Sequence, residues 1–114
     1  MAKSKIPDPQ ARRHLIEREI PAERASGIAD AYLADGREIE AVDFLAKAGA
    51  SERLAELRSS AIASGDLFLV RAVAQATEEP LEQDEWRSLA AAASAAGKDR
   101  YATEAGRQAE RVED

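Results

Sequence analysis

The chain lacks cysteine and asparagine altogether, and its 114 residues include one histidine and only five aromatic side chains. The absence of cysteine excludes disulfide scaffolds, cysteine metal sites and thiol catalysis. Because His14 is the single histidine, no multi-histidine metal site and no pair of histidines for nucleophile activation can be built. No apolar run approaches the roughly 20 residues that a membrane-spanning helix needs. We therefore expect a non-enzyme with no metal, no cofactor and no membrane association.

Alanine dominates the composition: 26 of the 114 residues are alanine, whereas threonine, proline and aromatic residues are scarce. Alanine has the highest helix propensity of all residues, so this composition is typical of a helical protein. Apolar residues make up 45% of the chain and charged residues 33%, a balance that indicates a folded domain rather than a disordered one. At this length we expect one all-α domain, residues 1–114.

Acidic residues exceed basic ones by 22 to 16, for a net charge of −6. Residues 21–114 account for the excess, whereas residues 1–20 carry five bases against three acids. A negatively charged body repels a phosphate backbone, so we expect no nucleic-acid partner. The N-terminal bases are interpreted as a solvated helix face; they are Lys3, Lys5, Arg12, Arg13 and Arg18. The first residues contain no apolar stretch of the kind found in signal peptides, so we expect a cytoplasmic protein.

The spacing of apolar residues and the caps between them predict about seven helices. Asp8 followed by Pro9 indicates an N-cap and a first helical residue, and Pro21 ends that helix and opens the next. Further N-caps are predicted at Ser51, Asp66 and Asp99, and helix ends at Gly36, Gly49, Gly65 and Gly97. The predicted helices cover about 9–20, 22–34, 38–48, 52–64, 67–77, 83–96 and 100–112, after a flexible segment at 1–8.

Three of the helix-ending glycines recur at a regular interval. Gly36, Gly65 and Gly97 are 29 and 32 residues apart, and each joins one helix to the next. A recurrence in this range is typical of stacked helical hairpins. We therefore predict a short α-solenoid of three antiparallel hairpins, 22–48, 52–77 and 83–112, with the helix at 9–20 covering one open end. The fifth helix is apolar almost all round, which predicts that it is buried on most sides.

The residues around these glycines resemble a degenerate tetratricopeptide-repeat array. The third hairpin offers Trp86, Leu89, Ala90, Gly97, Ala102 and Ala109 at that family's offsets. The first hairpin matches with Ile28, Ala29, Tyr32, Gly36, Ala41 and Ala48. The second hairpin departs from the pattern, since Arg58 stands in the place of a small residue. The resemblance covers roughly residues 22–112, and HEAT-like hairpins remain an alternative.

The resemblance implies a concave surface, formed by the first helix of each hairpin, that holds a peptide or helix from a partner protein. The positions that it places on this surface are Glu23, Ser26, Asp30, Glu52, Ala55, Ser59, Asp84, Arg87 and Ala91. The family's carboxylate-binding members use Lys and Asn where this chain has Ser26 and Asp30, so we expect a different ligand. An acidic surface favours a basic or amphipathic segment. The alternative is that these acids are merely solvated.

Two functions are compatible with these expectations. The first is a non-catalytic adaptor or scaffold that binds a segment of another protein, with Trp86 as the candidate apolar anchor. The second is a structural subunit that self-associates as a homodimer, burying Trp86 and the alanine-rich face 90–96 against its own copy. In both cases the expected partner is a protein.

Overall fold

A computed structural model describes residues 6–112 of the chain. Seven α-helices follow one another, and no β-strand occurs within this range. In chain order they are α1 (Pro9–Glu17), α2 (Ala22–Ala34), α3 (Glu38–Lys47), α4 (Ser51–Ser64), α5 (Leu67–Thr77), α6 (Gln83–Ala95) and α7 (Asp99–Val112). The predicted all-α class with about seven helices is confirmed. The flexible segment predicted at 1–8 falls mostly on residues 1–5, which lie outside the described residues.

The helices form two compact units, and the boundary between them lies at Leu54 and Ala55, inside α4. In the first unit, α2 and α3 pack against each other as a helical hairpin, and in the second unit α6 and α7 do the same. The turn at Gly65 and Asp66 joins α4 to α5. The single domain and the stack of three hairpins stay predictions.

Helix α1 ends three residues before its predicted end. It stops at Glu17, and Arg18 has an extended backbone with φ −108° and ψ 157°. The carbonyl oxygen of Arg18 accepts a hydrogen bond of 2.8 Å from the side chain of Lys47 in α3. Pro21 is the N-cap of α2, as predicted, but it does not end α1. A tertiary contact thus sets a boundary that the proline rule placed too late.

Two of the four predicted N-caps are confirmed. The Asp8 carboxylate accepts a hydrogen bond of 2.8 Å from the backbone N–H three residues on, and Asp66 accepts the equivalent bond at 3.1 Å. The other two are wrong by one residue, since Ser51 and Asp99 are the first residues of α4 and α7. The acidic or hydroxyl side chain marks the start of each helix, but only a tertiary structure shows which residue is the first inside it.

Glycines with left-handed backbone close four of the helices, as predicted; they are Gly36, Gly49, Gly65 and Gly97. After each glycine, the next N–H donates to the carbonyl five residues back, at 2.8 to 3.0 Å. Helix α5 ends in the same turn, with Glu79 donating to Ala74 at 3.0 Å, but Glu78 takes the place of the glycine. With φ 56°, Glu78 is the one residue other than glycine that has a positive φ between residues 6 and 112.

Two stacked aromatic rings lie at the centre of the first unit. Tyr32 of α2 and Phe44 of α3 are fully buried, with 5.8 Å between their ring centroids. The guanidinium of Arg12 lies 5.1 Å from the Tyr32 centroid and 5.3 Å from that of Phe44. Arg12 Nη1 also donates to the carbonyl oxygen of Glu40 at 3.0 Å. Helix α1 is therefore attached to the α2–α3 hairpin by cation–π contacts and a hydrogen bond.

The basic N-terminal face is only partly solvated. Arg13 and Arg18 are exposed, as expected. The interpretation of Arg12 as solvated is wrong, since only 20% of its side chain is exposed. A planar guanidinium packs well on ring faces, which a count of charges does not reveal. Lys3 and Lys5 lie outside the described residues.

In the second unit, the turn between α4 and α5 packs directly on the backbone of α6. A Cβ added to Gly65 would lie 2.6 Å from both the Cα and the N of Ala93. Such a distance leaves no room for any side chain at Gly65, so the turn lies directly against the α6 backbone at Ala93. The buried apolar residues of this unit are Ala61, Leu67, Leu69, Val70, Val73, Leu81, Trp86, Leu89, Ala93, Ala105 and Ala109.

Helix α5 is less buried than its hydropathy predicts. Leu69, Val70 and Val73 are buried, but the Phe68 side chain is 55% exposed. Phe68 contacts the ring of Tyr101 edge to face, with 5.4 Å between centroids, and its remaining surface meets solvent. The prediction that α5 is buried on most sides is therefore wrong at Phe68. Hydropathy shows which residues could be buried, but not which side has a neighbour.

Replacing Gly65 by alanine should destabilise the second unit more than replacing Gly97. Both glycines have left-handed backbone, but only at Gly65 would the new methyl group collide with α6. We expect Gly97→Ala to lower the free energy of unfolding by about 1 kcal/mol. We expect Gly65→Ala to lower it by roughly 2–4 kcal/mol. Urea denaturation followed by circular dichroism measures both, and equal losses would contradict the close approach to α6.

Candidate functional site

The segment between α5 and α6 is held in place by Arg58 of α4. Arg58 Nε and Nη2 donate to the two carboxylate oxygens of Glu85 at 2.9 and 2.8 Å. Arg58 also donates to the carbonyl oxygens of Glu79 at 2.7 Å and Pro80 at 3.2 Å. Only 14% of the Arg58 side chain is exposed. The largely enclosed guanidinium of Arg58 therefore holds the irregular segment after α5 through its carbonyl oxygens.

The start of α6 brings two apolar side chains together. Glu82 is the N-cap of α6, and its N–H donates to Glu85 Oε1 at 2.9 Å, the reciprocal bond of a capping box. Leu81 precedes the cap and Trp86 follows it in the first turn, which are the two positions of a hydrophobic staple. Both residues are buried, with 5% and 7% exposure.

These residues form one side of a groove in the second unit, which we call the Trp86 groove. It encloses about 450 Å³ and is open to solvent. Its lining residues come from α5, the following segment, α6 and α7; they are Arg71, Ala74, Gln75, Glu78, Pro80, Leu81, Trp86 and Gln108. The groove therefore combines four apolar residues with two charged residues and two amides.

The two charged residues of the groove differ in their surroundings. Arg71 lies 5.9 Å from the ring centroid of Trp86, and its Nη2 is 3.0 Å from Glu104 Oε2. Two hydrogen bonds lower the pKa of the Glu104 carboxyl; the one from Gln108 has the larger effect and the one from Arg71 the smaller. By contrast, the exposed Glu78 carboxylate has no hydrogen bond or ion pair within residues 6–112. The positive charge of the groove is thus paired, whereas the negative charge has no partner in the described part of the chain.

The structure places the predicted concave-surface residues outside the Trp86 groove. Ser26 is half-buried, and the others are exposed; those are Glu23, Asp30, Glu52, Ala55, Ser59, Asp84, Arg87 and Ala91. One of them is engaged, since Asp30 Oδ1 lies 2.7 Å from Arg53 Nη2. That these positions share a partner-binding surface stays a prediction.

Trp86, the predicted apolar anchor, is one wall of a groove rather than a protruding side chain. With 7% of its surface exposed, it cannot insert into a partner. It can instead form part of the site into which a partner's side chain inserts. The expected role of Trp86 at a binding surface stays a prediction.

The fold lowers the pKa of three glutamate carboxyls among the described residues, so each is stabilised in its ionised form. The pKa of Glu40 is lowered by a hydrogen bond from Arg37, and that of Glu85 by the hydrogen bonds from Arg58. Glu104 behaves in the same way. A general acid at neutral pH needs the opposite shift. In the described part of the chain, no group of three or more His, Cys, Asp or Glu residues could hold a metal ion.

Sequence reasoning missed most of the groove. A usable signal existed at the start of α6, where Leu81 and Trp86 flank Glu82 and Glu85 in the spacing of a staple and a capping box. No local pattern indicated Gln108, because it reaches the groove from another helix. Arg71 stood out as the one charge in an apolar helix, a sign of a side with access to solvent.

Comparisons with protein-family models, with curated proteins and with solved structures find no match to this chain. The tetratricopeptide-like resemblance therefore stays a prediction. Among the described residues, no helix has the length and apolar character needed to cross a membrane. A function has to be argued from the chemistry of the site itself.

Replacing Glu85 by glutamine should destabilise the protein at neutral pH and much less in acid. Because its pKa is lowered on folding, the ionised Glu85 stabilises the fold above the ordinary glutamic acid pKa of about 4.3. That contribution is lost as the pH falls through the lowered pKa. At about pH 7 we expect a loss of roughly 1–3 kcal/mol in the free energy of unfolding for this partly buried pair. Urea denaturation between about pH 7 and pH 3 measures the difference.

The matched control for Glu85 is Glu56→Gln, because Glu56 lies on the same α4 that carries Arg58 but is exposed. We expect this variant to stay within about 0.5 kcal/mol of the wild type at every pH. A gap between wild type and Glu85→Gln that does not narrow in acid would contradict the role of the ionised Glu85 carboxylate.

Proposed function

We propose that this chain is a non-catalytic protein-interaction module that holds a segment of a partner protein in the Trp86 groove. The observation behind the proposal is the groove itself, whose apolar side is made by Trp86 and Leu81 and whose rim bears amides and charges. Binding sites combine an apolar surface with a few polar groups that orient the ligand, and this groove has both.

The open form of the groove favours a protein segment over an enclosed small molecule. Small-molecule sites usually enclose most of the ligand surface, whereas this groove faces solvent along one side. Ala74, Leu81 and Trp86 offer an apolar surface for one large side chain. The amides of Gln75 and Gln108 can exchange hydrogen bonds with the backbone of a bound segment.

The proposal includes the expectations that remain predictions: a tetratricopeptide-like stack, a cytoplasmic location and a basic or amphipathic partner. The α2–α3 and α6–α7 hairpins and the glycine turns support the helical-repeat interpretation. The lowered pKa values of Glu40, Glu85 and Glu104 support a non-catalytic role, since these carboxylates act as ion-pair partners and hydrogen-bond acceptors.

Filling the Trp86 groove should abolish partner binding. Ala74 is half-buried and lines the groove, so Ala74→Glu places a longer charged side chain in it. A phage-displayed library of short linear peptides, panned on the wild-type chain, supplies the ligands. We expect Ala74→Glu to weaken those peptides by at least about tenfold in Kd, measured by fluorescence anisotropy.

The control is Ala91→Glu, which changes an exposed alanine of α6 on the predicted concave surface and outside the groove. We expect it to bind the peptides as the wild type does. If Ala91→Glu abolishes binding and Ala74→Glu does not, the partner uses the surface predicted from the repeat pattern. If neither variant matters, or if no peptide is enriched, the proposed function is wrong.

A second candidate function, self-association, is favoured by the exposed Phe68. This side chain is 55% exposed and adjoins the ring of Tyr101, so a second copy could bury both. The surface differs from the one expected from sequence, because Trp86 is already buried within its own chain.

The self-association candidate predicts that Phe68→Ser converts a dimer into a monomer in sedimentation equilibrium. The reason is that the variant removes the largest exposed apolar side chain of the second unit. Ile39→Ser is the control, since Ile39 is also large, apolar and exposed, at 46%. A wild-type chain that is monomeric at high micromolar concentration would contradict self-association.

A further inference from the structure

Glu78 stands where a glycine stands at four other helix ends. Its φ of 56° and ψ of 35° place it in the left-handed region, which disfavours a residue with a Cβ. The four equivalent turns with the same hydrogen bond all use glycine. Backbone strain of this kind occurs preferentially at functional positions, which indicates that the Glu78 side chain has a function.

The Glu78 side chain makes no polar contact with the part of the chain that the structure describes. Its carboxylate is exposed and has no hydrogen bond or ion pair within residues 6–112. The neighbouring cation Arg58 is paired with Glu85 through two hydrogen bonds, and Arg71 is paired with Glu104. Neither Arg58 nor Arg71 is therefore available to pair with Glu78.

The Glu78 carboxylate lies at a groove that has an apolar surface. Glu78 lines the Trp86 groove together with the apolar surface of Leu81 and Trp86. A ligand that covers this apolar surface therefore lies within reach of an uncompensated carboxylate. The ligand chemistry that complements both features is a large apolar side chain adjacent to a positive charge.

We propose that Glu78 determines specificity in the Trp86 groove, which recognises a protein segment with a large apolar residue next to a lysine or arginine. This inference rests on the proposed function and specifies the partner. The apolar side chain covers Trp86 and Leu81, and the cation pairs with the Glu78 carboxylate. Acidic segments are rejected because they would place a second negative charge beside Glu78.

The net charge of the chain acts in the same direction. At −6, the protein attracts a basic segment and repels an acidic one before contact. The pair with Glu78 then forms at the rim of the groove, where the carboxylate stays partly solvated. Its contribution to affinity should therefore be moderate and should weaken with added salt.

The test uses the peptides that are enriched on the wild-type chain, synthesised with a fluorescent label and titrated with the full-length protein. We expect these peptides to carry Lys or Arg beside a large apolar residue. Glu78→Gln should weaken them about five- to tenfold in Kd and reduce the salt dependence of binding. Glu79→Gln is the matched control and should bind as the wild type does, because Glu79 is equally exposed but does not line the groove.

A second variant, Glu78→Gly, separates recognition from folding. It relieves the left-handed strain, so we expect its thermal unfolding midpoint to rise by a few degrees. Its affinity for the basic peptides should nevertheless fall as far as that of Glu78→Gln. A more stable protein that binds more weakly cannot be explained by damage to the fold.

The outcomes distinguish this inference from the proposed function. If the enriched peptides lack basic residues, or if Glu78→Gln and Glu79→Gln bind equally well, the specificity inference is wrong. In that case, if Ala74→Glu still abolishes binding of these peptides, the Trp86 groove is the binding site and the proposed function is not contradicted. If binding is unaffected by Ala74→Glu, both the specificity inference and the proposed function are wrong.

Discussion

The arrangement of the second unit depends on the guanidinium of Arg58. Its bonds to Glu85 and to two carbonyl oxygens attach α4 to the segment after α5 and to the first turn of α6. That segment carries Pro80 and Leu81, which line the Trp86 groove. This attachment, together with the capping box at Glu82 and the burial of Leu81 and Trp86, positions the apolar side of the groove.

Arginine side chains also compensate for the scarcity of large apolar residues. A chain with 26 alanines and five aromatic residues has few side chains that can fill space between helices. Arg12 covers the stacked rings of Tyr32 and Phe44, and Arg71 lies over Trp86. Their aliphatic stems and planar guanidinium groups provide contact area while the charge keeps access to acceptors. Arg12 and Arg71 therefore contact aromatic rings while their charged groups stay at the surface.

The proposed selectivity of the groove rests on the contrast between Arg71 and Glu78. Arg71 is paired with Glu104 and in contact with a ring, so its charge belongs to the fold. Glu78 has no partner within the described residues and has a strained backbone. Stability favours a glycine at that position, and a glutamate there indicates a requirement other than stability. Arg71 therefore contributes to the fold through its contacts, whereas the proposed role of Glu78 is recognition.

The sequence by itself determined the helices, their glycine turns and the chemistry that cannot occur. Helix propensity, capping and the left-handed turn all act within about five residues, so a single chain reveals them. The tertiary structure decided which charges are paired, that Phe68 is exposed, and that Trp86 is a wall of a groove. Arg58 and Glu85 are 27 residues apart, and no local pattern encodes which distant acid a guanidinium will meet. Those contacts follow from how helices pack, and packing depends on the whole set of side chains at once.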